Sequence, residues 1–392
     1  MMPSGIALLD VHPPSASQRT YGDFADTLPL DRNKRPEIAH APAIDQPGPR
    51  ALAPSPSVLG SSPRSLPSAT DLVALCHRFF GKPSDNGRAQ QMLNAVHKVA
   101  SELAASWDLR DLDGITLADD LPAAVDAIIW HRNGVSHGVE RFDRGERGIA
   151  GTVLSVKARY RNLEHVVLDA QFLAALVDGT EMAGFARNII AHELAHVVFA
   201  PSRNDYECTR QAMDDWRTHV LLALARPLWN EYAACRLSAL IGDYKTAFFN
   251  FQNILACDLR DYPIRLRRTT RKHWHVPAAA PAFIGIVQAA LNPLATGAYL
   301  TGHLDGLGIA EGVAHFSTPA RTGPLAHCFE PMRQALRTIW DDGRHWSEGR
   351  LAMDALLPTV EEALRIWQSA VAEPPKRKAA GRFKGARSPD PG

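Results

Sequence analysis

The stretch Ile189-Ile190-Ala191-His192-Glu193-Leu194-Ala195-His196-Val197-Val198 organises this chain. Its apolar, helix-forming residues predict a buried helix, and residues four apart on a helix lie on the same face. His192 and His196 can therefore present two imidazole nitrogens to one metal ion, and Zn²⁺ binds such nitrogens at roughly 2.0–2.1 Å. Glu193 projects beside the pair, where it can accept a proton from a metal-bound water.

Three fixed residues can also coincide by chance, and the alternative is a helix whose histidines are exposed or satisfied by other partners. The flanks favour the metal site, because every variable position is uncharged and both sides are apolar. Buried ionisable groups are costly unless they are paired or bound to a metal. The sequence therefore predicts a metal site with His192 and His196 as ligands.

The HExxH pattern of His192–His196 resembles that of the zincin metallopeptidases, and the resemblance covers about residues 150–245. It implies a helix-rich α+β fold, with a small N-terminal sheet before the metal helix and a C-terminal helical subdomain after it. It also implies a peptidase with one Zn²⁺ per chain, in which Glu193 is the general base. In zincins an antiparallel edge strand pairs with the substrate backbone; Glu164–Asp169 is the candidate by resemblance, and an ordinary strand is the alternative.

The branches of this family differ in the third metal ligand. The metzincin pattern needs a Gly and a His where this chain has Phe199 and Ser202, which excludes that branch. The gluzincin branch takes a Glu from a later helix, and Glu231 resembles it, following Asn230 on an Ala-rich, apolar segment. Thirty-four residues (197–230) separate Glu231 from the motif, enough for a connection and a return helix. Glu207, Asp205 and His219 stay open as alternatives.

One position departs from the gluzincin pattern. Many gluzincins carry an Asp four residues after the ligand Glu to orient a histidine, and here that position is Cys235. The orienting carboxylate must then come from elsewhere or be absent. The open candidates for it are Asp169, Asp205 and Asp243. A Tyr or His that stabilises the oxyanion is also expected by resemblance, with Tyr232, His219 and His275 as open candidates.

Composition divides the 392 residues into three parts. Residues 1–68 are rich in Pro and Ser without apolar periodicity, which predicts a disordered leader. Residues 69–373 form the predicted zincin-like domain, with its sheet in about 109–200 and its helical part in 201–373. Residues 374–392 predict a basic, disordered tail.

Local patterns predict the individual elements. The uncharged run Val276–Gly302 contains three prolines and predicts a buried, proline-broken pair of helices instead of a membrane span. The other predicted helices are Asp71–Phe80, Ala89–Trp107, Leu121–Trp130, the metal helix 180–200 with Thr180 as its cap, Leu228–Leu240 beginning after Pro227, and Pro358–Val371. The predicted strands are Gly114–Ala118, Gly151–Tyr160 and Glu164–Asp169.

The net charge and the cysteine content limit the expected classes of partner and the expected cellular compartment. The net charge of +1 argues against a nucleic-acid-binding protein, apart from a contact through the basic tail. The five cysteines contain no CxxC pair, which is typical of reduced, cytosolic thiols. Met1–Asp10 lacks the features of a signal peptide. A cytoplasmic protein without a membrane span, acting on a protein or peptide substrate, is expected.

Other functions remain open on the sequence. A catalytically inactive zincin-fold binding or regulatory protein is one alternative, although the intact Glu193 favours an enzyme. Hydrolysis of an amide or ester in a small molecule is another. A secreted effector protease is a third, which the leader and the basic tail would suit.

Overall fold

The computed structural model describes residues 76–80, 86–131, 151–158, 161–199, 216–273, 280–309, 316, 318–342 and 353–372. The predicted leader (1–68) and the predicted basic tail (374–392) lie outside these ranges. The described residues form a four-stranded sheet and a larger set of helices. The prediction of a helix-rich α+β protein is therefore confirmed.

The sheet combines a parallel part and a hairpin. Its strands are β1 (Cys76–Phe80), β2 (Leu112–Ala118), β3 (Gly151–Ala158) and β4 (Arg161–Asp169). They run in the order β1-β2-β4-β3; β1, β2 and β4 are parallel, and β3 is antiparallel to β4. The hairpin pairs Gly151 with Leu168 at one end and Ala158 with Arg161 at the other. Among the described strands, β3 is thus an edge and β4 is interior.

The structure corrects one expectation about the sheet and decides between the two alternatives left open for Glu164–Asp169. Cys76–Phe80, predicted to belong to the helix Asp71–Phe80, forms strand β1, so the sheet begins before the predicted range of 109–200. A run of five residues carries too little periodicity to separate helix from strand, and pairing with β2 decides the outcome. Glu164–Asp169 lies in β4, which pairs on both sides, so the antiparallel edge strand is β3.

Helices cover both faces of the sheet. The helices of this part are α1 (Asn86–Ala104), α2 (Leu121–His131), α3 (Ala170–Asp178) and α4 (Ala183–Val198). On one face, Ile115 and Leu168 share a core with apolar residues of α1, α3 and α4. On the other face, Ala118 and Val167 pack with residues of α2. Because the sheet is covered on both sides, successive residues of an interior strand are buried, as in Val166-Val167-Leu168 of β4.

The described residues of the second half of the chain are mainly helical, as predicted. Its helices are α5 (Trp216–Ser238), α6 (Tyr244–His273), α7 (Ala280–Gly306), α8 (Thr318–Thr322), α9 (Ala326–Asp341) and α10 (Leu357–Ala372), with a 3₁₀ turn at Met353–Leu356. The predicted helix Pro358–Val371 corresponds closely to α10. One core joins α5, α6, α7, α9 and α10, with Trp229, Tyr232 and Phe329 among its largest fully buried side chains.

Among the prolines that lie inside described helices, Pro227 and Pro293 contradict predictions. Pro227 was expected to begin a helix, but α5 runs through it. Val276–Gly302 is, over its described part, the single helix α7 with Pro293 inside, and not a broken pair. An interior proline costs about 3 kcal/mol locally. The next residues, Leu228 and Leu294, are 1% and 0% exposed, so burial in the core outweighs that local cost. No described helix has the length and apolarity needed to cross a membrane.

Glycines bring α7 into backbone contact with α5. A Cβ on Gly302 would overlap the carbonyl oxygen of Tyr232, and a Cβ on Gly306 would overlap that of Arg236. The two contacts are one turn apart on both helices. The two helix backbones are therefore closer at Gly302 and Gly306 than any larger residue would allow. This close approach sets the distance from α7 to Glu231, which precedes Tyr232 in the sequence.

A second set of contacts ties the end of α5 to α4. Gly242 has a φ of 78°, and a Cβ there would overlap the carbonyl oxygen of Gly184 in the first turn of α4. The buried side-chain amide of Asn188 donates to the carbonyl oxygens of Ser238 and Ile241 at 3.0 and 3.1 Å. α4 and α5 are consequently held in a fixed relative position one turn away from His192.

Candidate metal centre

Helix α4 carries three of the predicted site residues, and burial holds it in place. Thr180, predicted to cap it, does not: the N-cap is Met182 without a side-chain bond, and only the carbonyl oxygen of Thr180 contacts the Ala183 N–H. Ile190 and Leu194 are fully buried in the core shared with the sheet. This packing sets the rotation of the helix, and its histidines face α5.

Three donor atoms converge between α4 and α5. The Nε2 atoms of His192 and His196 are 3.2 Å apart, and Oε2 of Glu231 lies 3.3 Å from the first and 3.5 Å from the second. Donors bound at roughly 2.0–2.1 Å to one tetrahedral ion stand about 3.3 Å from each other. The described part of the chain thus contains a buried His192, His196 and Glu231 group that could hold a metal ion.

Of the three donors, Glu231 has the surroundings that most favour binding of a cation. Within the described structure its Oε2 is buried and makes no hydrogen bond of regular geometry, although both imidazoles face it. Burial acts to raise the pKa of this carboxyl, but the adjacent His196 and His192 outweigh burial and hold the pKa well below its usual value. A carboxylate kept ionised in a buried pocket is a suitable ligand for a divalent ion.

Glu193 lies beside the donors without belonging to them. It is 7% exposed, and burial raises its pKa above the usual value against the opposing effect of the two histidines. A raised pKa brings a carboxylate closer to the range in which it can take and return a proton near neutral pH. Gly151, the first residue of β3, leaves the space for it, because a Cβ there would lie 2.8 Å from Cγ of Glu193.

The other nitrogen of His192 faces a thiol. Sγ of Cys235 lies 3.4 Å from Nδ1 of His192, and Cys235 is 1% exposed. The described aspartates that were candidates for this contact have different roles. Asp169 caps α3 through the N–H groups of Gln171 and Phe172, and Asp243 caps α6 through those of Lys245 and Thr246. Asp205 lies outside the described residues.

Tyr299 lies on α7 beside two of the candidate metal ligands, and the sequence analysis missed it. Its ring stacks on His192 with centroids 5.4 Å apart and an interplanar angle of 20°, and its phenol lies close enough to Glu231 to interact with that carboxylate. Burial, reinforced by the charge of Glu231, raises the pKa of its phenol, which therefore keeps its proton. Gly302 and Gly306 were the available signal, since glycines one turn apart indicate a close helix contact.

Among the residues proposed as oxyanion donors, the structure describes the side chain of Tyr232, and its hydroxyl bonds to residues outside the candidate metal group. The hydroxyl of Tyr232 donates to Asp305 Oδ2 at 2.8 Å and accepts from Arg236 Nη1 at 2.6 Å. Asp305 is also paired with the buried Arg333, so this network is a tie between α5, α7 and α9. The side chain of His219, and His275, lie outside the described part, as do the alternative ligands Glu207 and Asp205.

Comparisons with known proteins add no assignment. No protein-family model matches the chain, and no curated protein or solved structure is detectably similar to it. The functional argument consequently depends on the donor geometry and on the chemistry of the surrounding residues.

Proposed function

We propose that this protein is a zinc-dependent metallopeptidase of the gluzincin type, with His192, His196 and Glu231 as ligands and Glu193 as general base. The observation that carries the proposal is the convergence of three donor atoms with a second carboxylate, that of Glu193, beside them in a protonatable position. A purely structural metal site needs no such carboxylate. Two imidazoles and one carboxylate form a donor set that suits zinc among the common divalent metals.

The residues divide the chemistry between them. Zinc held by the three ligands would supply a polarised water and a positive charge for the oxygen of the attacked carbonyl. Glu193 would take the proton of that water and later return it to the departing amine. Tyr299 helps to keep Glu231 and the ring of His192 in place. Its phenol, which keeps its proton, lies beside both of these ligands.

An extended peptide is the substrate class that the neighbouring strand favours. Within the described sheet β3 pairs with β4 alone, so its other edge offers backbone donors and acceptors to a further strand. β3 begins at Gly151, in contact range of Glu193. A peptide paired along this edge would be led to the carboxylate that acts on the attacking water.

One observation favours the alternative of a binding or regulatory protein that keeps the metal without turnover. The side chains of the three ligands are only 5%, 11% and 12% exposed. Such enclosure is typical of structural zinc sites, whereas a catalytic site keeps one position open to water and substrate. The metallopeptidase and the binding protein are both expected to contain the metal, but only the metallopeptidase is expected to cleave peptides.

The test measures zinc content and peptide hydrolysis on the full chain. We expect about one zinc per chain by elemental mass spectrometry, and mass spectrometry of a diverse synthetic peptide mixture should show new termini. Glu193→Gln should keep the zinc and lose cleavage, whereas Glu231→Ala should lower zinc affinity by more than about 100-fold. Zinc without cleavage would favour the binding protein. A wild-type chain that takes up no zinc would refute the metal centre.

A further inference from the structure

The helix that supplies Glu231 also supplies the partner of His192. Residues 231 and 235 are one turn apart on α5, so both side chains face α4. Nε2 of His192 points to the Glu231 carboxylate at 3.3 Å, and Nδ1 of the same ring lies 3.4 Å from Sγ of Cys235. The ring is therefore held at both nitrogens by one helix.

We infer that Cys235 is a positioning residue for the metal: its sulfur accepts the Nδ1–H of His192 and leaves Nε2 as the metal donor. The inference depends on the proposed metal centre. An imidazole that binds a metal through one nitrogen carries its proton on the other, and the acceptor of that proton sets the tautomer and the ring orientation. Cys235 is the described residue that stands at this acceptor position.

The position of the sulfur is set by the fold and not by the metal. Cys235 belongs to the core around Trp229 and Tyr232 and is 1% exposed. One turn later, the carbonyl oxygen of Ser238 accepts from Asn188 of α4 at 3.0 Å. Because that bond joins the two helices next to His192, the thiol is in place before any ion binds.

A thiol in place of a carboxylate also changes the charge of the pocket. Glu193 and Glu231 already supply two carboxylates in this buried space, and a third would add another buried negative charge. A neutral sulfur is a weaker hydrogen-bond acceptor than a carboxylate, so it makes His192 a less basic ligand. We expect the wild-type chain to bind zinc no more tightly than a variant that carries a carboxylate at this position.

The experiment compares zinc affinity in full-length variants by competition with a chromophoric chelator. Cys235→Ala and Cys235→Val, which remove the acceptor, should weaken zinc binding about 10–100-fold. Cys235→Asp should match or exceed the wild-type affinity, since it restores an acceptor. Cys328→Ala is the matched control, because Cys328 is another thiol of the same core, 2% exposed and on α9, and it should leave the affinity unchanged.

A second readout separates positioning from folding. The visible absorption of the cobalt-substituted protein should change in Cys235→Ala and return toward the wild-type spectrum in Cys235→Asp, while thermal unfolding of the metal-free chains reports stability. Unchanged zinc affinity in folded Cys235→Ala or Cys235→Val would overturn the inference and leave the proposed function intact. Where both of these fail to fold, Cys235→Asp decides, and weaker binding than wild type overturns the inference. A wild-type chain without zinc overturns both proposals.

Discussion

Gly151 decides where the carboxylate of Glu193 can lie. It begins the edge strand β3, and a Cβ there would stand 2.8 Å from Cγ and 3.0 Å from Oε1 of Glu193. We expect Gly151→Ala to displace the Glu193 side chain and leave the metal ligands in place. The reason is that the three atoms nearest the added methyl group all belong to the side chain of Glu193.

The size of the effect follows from these distances. Non-bonded carbon atoms rest about 3.5–4.0 Å apart, so the 2.8 Å contact must lengthen by roughly 0.7–1.2 Å. Misplacing a catalytic group by about 1 Å lowers turnover by about 10²-fold, which corresponds to roughly 2.7 kcal/mol in the barrier. The free energy of unfolding should change by less than about 1 kcal/mol, because the side chain can move without disturbing the core.

The assay follows cleavage of the best peptide from the mixture, with zinc content and thermal unfolding measured on the same samples. Gly179→Ala is the matched control: nothing lies within 4 Å of its added methyl group. Since Gly179 has a φ of 62°, that variant should lose about 1–2 kcal/mol of stability. Its turnover per folded chain should stay at the wild-type value. Gly151→Ala is thus predicted to lose activity and keep its stability, whereas Gly179→Ala is predicted to lose stability and keep its activity.

Two results would refute this reasoning. Full turnover in Gly151→Ala would mean that Glu193 is not positioned by this contact or is not the base. A loss of zinc in Gly151→Ala would mean that the strand supports the ligands themselves. A double variant with Glu193→Gln adds a check, because a displacement that acts only through Glu193 causes no further loss once that carboxylate is absent.

Two further predictions concern stability. Gly302→Ala should lower the free energy of unfolding by about 1–2 kcal/mol, since overpacking against the Tyr232 backbone exceeds the roughly 1 kcal/mol gain in helix propensity; a raised thermal midpoint would contradict the close helix contact. Burial lowers the pKa of His303 to about 4, against the opposing hydrogen bond to the Tyr244 carbonyl. As pH falls below about 6.5 the unfolded chain gains the proton first, so wild type should lose roughly 3 kcal/mol by pH 4 relative to His303→Gln. Denaturant titrations at several pH values measure this difference, and one that is constant with pH would refute it.

The parts of the site that depend on local sequence were predictable. Four-residue spacing puts His192 and His196 on one face of any helix, and the apolar flanks predict its burial. Glu231 was predicted by resemblance to gluzincins, and the structure brings it to the two Nε2 atoms, although the family itself stays a proposal. The contact of Cys235 with His192 follows from the same helical spacing once Glu231 is a ligand, but the sequence analysis treated the cysteine as a missing carboxylate.

The parts that depend on tertiary pairing were not predictable from these patterns. Whether Gly151–Ala158 or Glu164–Asp169 forms the edge of the sheet depends on which strand pairs with β2, and the sequence analysis had only the family resemblance to assign the edge. Pro227 lies inside α5 because the burial of its neighbours outweighs a local cost that sequence rules treat as decisive. Tyr299 comes to the site through the backbone contact of Gly302, which no periodicity within α7 reveals.

The contacts that bring the three donor residues together include none of these residues themselves, so binding of a metal ion would be coupled to the fold. Gly242 against Gly184, Asn188 with Ser238, and Gly302 on α5 hold α4, α5 and α7 together. The 3.3 and 3.5 Å separations of the donors are therefore established by folding. An ion that binds needs little further ordering of the chain and neutralises a buried carboxylate, so it should stabilise the folded state by about 4 kcal/mol at a thousandfold excess over its dissociation constant. Any substitution that separates these helices will consequently weaken metal binding without touching a ligand.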